Sequence, residues 1–151
     1  MDVFPDIVKI KMIDDENDIA VPNITVRITL FANYKNNYHF ALPISDNHGI
    51  IEISRNWLNQ EIEKVRNHFI MDFSSKLEDC KPKFEFHVQS PEEVKGAIKA
   101  NILYKNSFGI AQEYINQLSL VDNDKYQPIT KMVELYGEKI LAVEIKIHKI
   151  K

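Results

Sequence analysis

The chain predicts a mainly β fold, a seven-stranded antiparallel sandwich of immunoglobulin-like type with inserted α-helices. Two observations carry this reading. Apolar and polar residues alternate along several short runs separated by turn residues, and a period of two places each apolar set on one face of a strand. Two stretches instead switch to helical spacing, at about 55–71 and 91–118. Seven short strands in two packed sheets is a common way to cover two apolar faces.

The first strand runs from about Ile7 to Ile13, with Val8, Ile10 and Met12 facing inward and Lys9 and Lys11 outward. An acidic loop, Asp14 to Asp18, and then Val21-Pro22-Asn23 lead to a second strand carrying Ile24, Val26, Ile28 and Leu30. Asn33, Asn36 and Asn37 bracket a hairpin turn, since Asn tolerates left-handed backbone. The third strand holds Tyr38, Phe40 and Leu42. Asp46-Asn47-His48-Gly49 then reads as a type I turn before a fourth strand, Ile50 to Ser54.

At Ser54 the period changes. Leu58, Ile62, Val65 and Phe69 form one helical stripe, with Ser54 or Asn56 as its cap and Trp57 at its rim. A fifth strand alternates Phe84, Phe86 and Val88 with Glu85 and His87. Ser90-Pro91-Glu92-Glu93 is a capping box with proline at the first helical position, so a helix is expected although Val94, Ile98 and Ile102 fit both periods. A second helical piece holds Phe108, Ala111, Ile115 and Leu118. After the turn at Asp122-Asn123-Asp124, Met132 to Tyr136 and Lys139 to His148 are expected to form a closing hairpin across Gly137-Glu138.

The bulk numbers fit one domain spanning residues 1–151. A chain of this length buries roughly 70% of its unfolded surface without a metal or disulfide. The formal charge of -3 gives no reason to expect nucleic acid, and no run is long and apolar enough for a membrane span. The single Cys80 cannot form an internal disulfide, and the first residues lack the basic-then-apolar order of a secretory leader, so the expected compartment is cytoplasmic.

Candidate chemistry is sparse. The acidic loop lacks the glycine and closing glutamate of an EF-hand. His39, His87 and His148 fall on outward strand positions, His48 in a turn and His68 near a helix end, with no helical metal-ligand pair among them. Exposed surface histidine is the expectation for all five, and neither a metal nor a cofactor is expected. Cys80 has Lys81 and Lys83 nearby but no partner that would orient it as a nucleophile. Met71-Asp72-Phe73 sets one acid between bulky apolar residues, a helix end whose carboxylate would titrate high if buried. Lys9, Lys11, Lys146, Lys149 and Lys151 read as charges guarding sheet edges rather than as a basic binding stripe.

Residues 7–54 resemble the carboxypeptidase regulatory-like and transthyretin-like group. The resemblance rests on Asp14 and Asp15, Pro22, Val26, Ile28 and Leu30, then Asp46 and Gly49 leading to Ile51 and Ile53. It implies a structural or interaction module. The enzymatic branch of that group is disfavoured, because its Tyr-Arg-Gly-Ser terminus and early histidine are missing. The expected function is therefore a non-enzymatic interaction or accessory module with a protein partner. The partner is expected to dock on the inserted helices or the Asp46-to-Gly49 end. The alternative is a small-molecule-binding protein or small hydrolase with a pocket between helix and sheet, lined by Tyr104, Tyr114, His87 or Asp72. A structural component of a larger assembly is the third possibility. Weak binding candidates are thus Asp46, His48, Asp72, His87, Tyr104 and Tyr114.

Overall fold

The computed structural model describes residues 4–31, 37–68, 83–99, 114 and 116–150. Among the described residues seven strands form two sheets: β1 (Ile7–Asp14), β2 (Arg27–Phe31), β3 (Asn37–Ala41), β4 (Ile50–Ser54), β5 (Lys83–Val88), β6 (Ile129–Glu134) and β7 (Ile140–Ile147). One sheet has the order β4-β1-β7 and the other β3-β2-β5-β6. Among the described residues, helix α1 (Arg55–His68) follows β4 and helix α2 (Pro91–Lys99) follows β5, with further helical residues at 114 and 116–118 and a 3-10 turn at Asn123–Lys125.

The alternation read from the sequence places the core. Val8, Ile10 and Met12 of β1, Ile51 and Ile53 of β4, and Leu141, Val143, Ile145 and Ile147 of β7 are buried in one cluster. The same cluster holds Ile28 and Leu30 of β2, Phe40 of β3, and Phe84, Phe86 and Val88 of β5. The two sheets therefore share one apolar interior. Burying each such side chain contributes about 1.5–3 kcal/mol, which makes this interior the main stabilising term. Within it Phe84 meets Phe86 edge-on at 5.9 Å and stacks against Phe4 at 6.2 Å.

Two expectations about pairing are corrected. The sheets are not wholly antiparallel, because β1 and β7 pair in parallel from Ile7↔Ile140 to Asp14↔Ile147. The last two strands do not form a hairpin: β6 pairs with β5 and β7 with β1, so the Gly137 turn crosses from one sheet to the other. Each strand goes where an inward apolar face finds an open partner, and a turn signal cannot say which partner that is. Strand β1 is consequently central, and Lys9 and Lys11 lie on a sheet face rather than guarding an edge.

The second strand begins three residues later than its apolar pattern. Ile24 and Val26 are buried, but their backbone is held by other bonds. Ile24 N–H donates to Ser45 Oγ at 2.9 Å, and Leu42 N–H donates to the Val26 carbonyl at 2.8 Å. The caps follow the sequence more closely. Ser54 Oγ accepts Trp57 N–H at 3.1 Å and starts α1. Ser90 Oγ accepts Glu93 N–H at 3.2 Å and starts α2. The parts of the inserted helices at 69–71, 100–113 and 115 lie outside the described residues, as does the turn at 32–36.

Gly49 closes the turn before β4 with φ +73°, and a Cβ there would stand 2.7 Å from the Met12 carbonyl oxygen and 3.0 Å from Val21 N. Gly137 has φ +82° and Gly96 an ordinary helical backbone, each with open space around it. The three positions should separate in urea denaturation of alanine variants. Gly49→Ala loses more than the ~1–2 kcal/mol of a left-handed alanine, because two backbone atoms must also move. Gly137→Ala loses only that conformational amount, and Gly96→Ala gains up to about 1 kcal/mol.

Candidate functional site

Part of the second face of the four-stranded sheet is also covered, over β2, β3 and β5, while Thr130 and Met132 on β6 stay exposed. Val94 of α2, Tyr114, Leu118 and Val121 form a separate buried cluster packed on Ala41 of β3. Under that cover lies a layer of polar side chains. Register sets one row across the sheet as Ala41, Arg27, His87 and Thr130, and the next includes Thr29, Glu85 and Met132. Arg27, Thr29, His87 and Gln89 are all buried.

These groups bond to one another in a chain. Arg27 Nε–H donates to Gln89 Oε1 at 3.0 Å, and its NH1 donates to Thr29 Oγ1 at 3.2 Å. Gln89 Nε2 reaches Glu93 Oε1 on α2 at 3.5 Å. The His87 ring lies in the middle. Its Nε2 is 2.9 Å from Glu85 Oε1 and 3.1 Å from Thr29 Oγ1, and its Nδ1 is 3.1 Å from Thr130 Oγ1.

Burial, and then the Arg27 charge, push the His87 pKa down from 6.5 to about 4. The ring is neutral at pH 7 despite the neighbouring carboxylate, so its contact with Glu85 is a hydrogen bond and not an ion pair. Glu85 can only accept, which puts the proton on Nε2 and leaves Nδ1 to accept from the Thr130 hydroxyl. Both ring nitrogens are therefore engaged. The same burial lowers the Arg27 pKa, opposed by Tyr114, Glu85 and Glu93, and raises that of Tyr114, leaving the phenol protonated. Tyr114 Oη alone is a buried polar atom without a hydrogen-bond partner among the described residues.

The end of this layer is pinned by Asn123, which is fully buried. Its Oδ1 accepts Thr25 N–H at 2.9 Å, while Nδ2 donates to the carbonyls of Thr25 at 2.8 Å and Gln89 at 3.0 Å. One amide side chain thus replaces a strand neighbour for two segments. Gln117 adds bonds from its amide to Thr25 Oγ1 and, at 3.0 Å, to the Leu42 carbonyl.

Of the six candidates read from the sequence, His87 and Tyr114 share this layer, each interacting with Arg27. The expectation that His87 is exposed is overturned: it points away from the main core as its position in the alternation requires, but the cover over that face buries it. Asp46 and His48 are exposed in their turn. The Asp46 carboxylate accepts His48 N–H at 2.8 Å and Ile50 N–H at 2.9 Å, and these bonds hold its pKa below the usual value. That carboxylate shapes the turn. Asp72, Tyr104 and Cys80 lie outside the described residues, as do the side chains of His39 and His68. His148 is half-buried after β7, with Nδ1 2.9 Å from Asp15 Oδ1. Among the described residues no three His, Cys, Asp or Glu side chains are grouped to hold a metal ion, and no helix is long and apolar enough to cross a membrane.

Arg27, Gln89 and Asn123 were missed at the sequence level. The alternation does set Arg27 and Thr29 on the face of Glu85 and His87, but nothing local says that this face is buried. A different surface lies at the start of α1. There Ile7, Pro43, Glu52, Ile53, Ser54 and Trp57 line an open groove of about 330 Å³. Trp57 is half-buried and meets Phe40 edge-on at 5.9 Å.

Comparison of the chain with family models, with curated proteins and with solved structures gives no match.

Two outcomes follow for stability. Between pH 6.5 and about 4 the unfolded chain binds a proton at His87 that the native state refuses, so stability falls as pH drops through that window. Urea melts across pH should show this loss, and His87→Gln should flatten it. Asn123→Ala strands two backbone carbonyls and an N–H, so it should cost about 3 kcal/mol or more in the same melts.

Proposed function

We propose that this chain is a non-enzymatic interaction or accessory module of immunoglobulin-like architecture that docks a protein partner at the start of its first inserted helix. The observation that supports it is the open groove of about 330 Å³ beside Trp57. A half-buried tryptophan flanked by Ile7, Pro43 and Ile53, with Glu52 and Ser54 at the rim, has the composition of an interface centre. The groove belongs to the β4–α1 junction, one of the places where loops and insertions held by a rigid pair of sheets present binding residues.

The likeness of residues 7–54 to carboxypeptidase regulatory-like and transthyretin-like domains agrees with this role. The single Cys80 suits a reducing compartment, and we place the protein in the cytoplasm. A hydrolase is the weaker reading, because burial, and then the Arg27 charge, push the His87 pKa down to about 4, which makes the ring a poor base near pH 7.

A test reverses the rim without touching the core. Glu52→Lys, which leaves the Ser54 cap of α1 in place, should leave the urea midpoint almost unchanged, since exposed substitutions of this kind stay within about 0.5 kcal/mol. Recovery of cross-linked partner should fall about tenfold or more, the scale of losing a hot-spot contact. Undiminished recovery would remove the groove from the docking surface.

A further inference from the structure

Strand β6 is an edge of the four-stranded sheet, at the opposite end from β3, against which Trp57 packs. Its residues Ile129, Thr130, Lys131, Met132 and Glu134 are exposed, with Met132 at 54% and the adjoining Tyr136 at 76%. The phase of the hydrogen-bond ladder says which of its backbone groups are unused. Facing pairs in an antiparallel sheet alternate between bonded and unbonded, and each residue aims its N–H and C=O at the same neighbour. Leu42 N–H donates to the Val26 carbonyl, so Val26 and Ile28 face β3. Thr25 faces the other way, where Asn123 bonds both its N–H and its carbonyl, and Arg27 and Thr29 follow it toward β5. Carried through the continuous registers, this phase turns Phe84, Phe86 and Val88 of β5 toward Val133, Lys131 and Ile129. Thr130, Met132 and Glu134 therefore aim their backbone groups off the edge, and among the described residues nothing bonds to them there. Charge commonly guards such an edge. The one cation of β6, Lys131, is instead tied to its own chain, donating from Nζ to the Glu144 carbonyl at 2.8 Å.

We propose that β6 pairs antiparallel with β6 of a second copy of this chain, joining two four-stranded sheets across a two-fold axis at Met132. An axis of this kind stands perpendicular to the sheet and passes beside a residue that faces itself. At Met132 it brings Thr130 opposite Glu134, so each outward residue exchanges both bonds with another outward residue. The same register places a hydroxyl against the Glu134 carboxylate, Lys131 against Val133, and the two exposed methionines together. An axis at Lys131 would set lysine against lysine, and one at Val133 would leave Thr130 facing Tyr136, beyond the strand. The strand is complementary to itself in this register, which favours a second copy over an unrelated extended segment.

Sedimentation of the intact chain over rising micromolar concentrations should show a species of twice the chain mass. Met132→Pro removes an N–H that points off the edge, so the β5 ladder keeps its bonds and far-UV dichroism should not change. Met132→Lys keeps the strand and sets two lysines face to face. Both variants should weaken association about tenfold or more, while Glu52→Lys at the Trp57 groove should leave it unchanged. The register has its own readout. In a Cys80→Ser background and air-oxidised buffer, Met132→Cys should form a linked dimer, because facing Cα atoms of a bonded pair lie about 5.5 Å apart. Glu134→Cys, also exposed, faces Thr130 instead and should link far less. Monomers at every concentration would overturn the proposal. So would a dimer that survives Met132→Lys, one lost in Glu52→Lys, or equal linking of the two cysteine variants.

Discussion

Burying the inner face and much of the outer face of the four-stranded sheet is the constraint that organises this molecule. The inner face is apolar and packs on the other sheet, which the alternation of Ile28, Leu30, Phe84 and Phe86 with polar neighbours directly provides. The outer face carries Arg27, Thr29, Glu85 and His87 on two adjacent strands, and covering such a face requires every polar group to find a partner. The structure meets this by running hydrogen bonds sideways across the strands and upward to α2. The same requirement explains why His87 stays neutral beside a carboxylate: a second buried cation next to Arg27 is less favourable than an uncharged ring with both nitrogens bonded.

Two different surfaces emerge from this arrangement. The groove at Trp57 is open, shallow and built on the junction of β4 and α1. The layer under α2 is enclosed and held by charge and hydrogen bonding. The groove lies where β4 of the three-stranded sheet meets the end of β3 in the four-stranded one, since Trp57 packs on Phe40, whereas α2 and Tyr114 lie over the outer face of the four-stranded sheet.

Much of the fold was legible in the sequence because alternation is a local signal. The bounds of the strand Ile50–Ser54, the inward residues of the last strand and the serine caps of both helices all follow from neighbours within a few positions. Strand partnership was not legible. Nothing local in Ile140–Ile147 says that it pairs in parallel with Ile7–Asp14, and the glycine turn at Gly137 suggested a hairpin instead. The polar layer illustrates the same limit. The outward position of His87 was readable, but its burial depends on where α2 and the residues around Leu118 come to rest. Asn123 gave only a turn signal, although its side chain joins segments 98 and 34 residues away.

The parallel pairing of β1 with β7 has a consequence for how the molecule is made. Strand β1 leaves the ribosome before the six other described strands, yet one of its two edges stays bare until the residues of β7 have been translated. Throughout synthesis the nascent chain carries a central strand with open hydrogen-bonding groups and the apolar side chains Val8, Ile10 and Met12. Its antiparallel neighbour β4 can protect the other edge once the residues through Ser54 are made, but the sheet closes last, through contacts of long sequence separation that make folding slow. A chaperone that shields this strand during elongation would act on the period when the polypeptide is most exposed to misassembly.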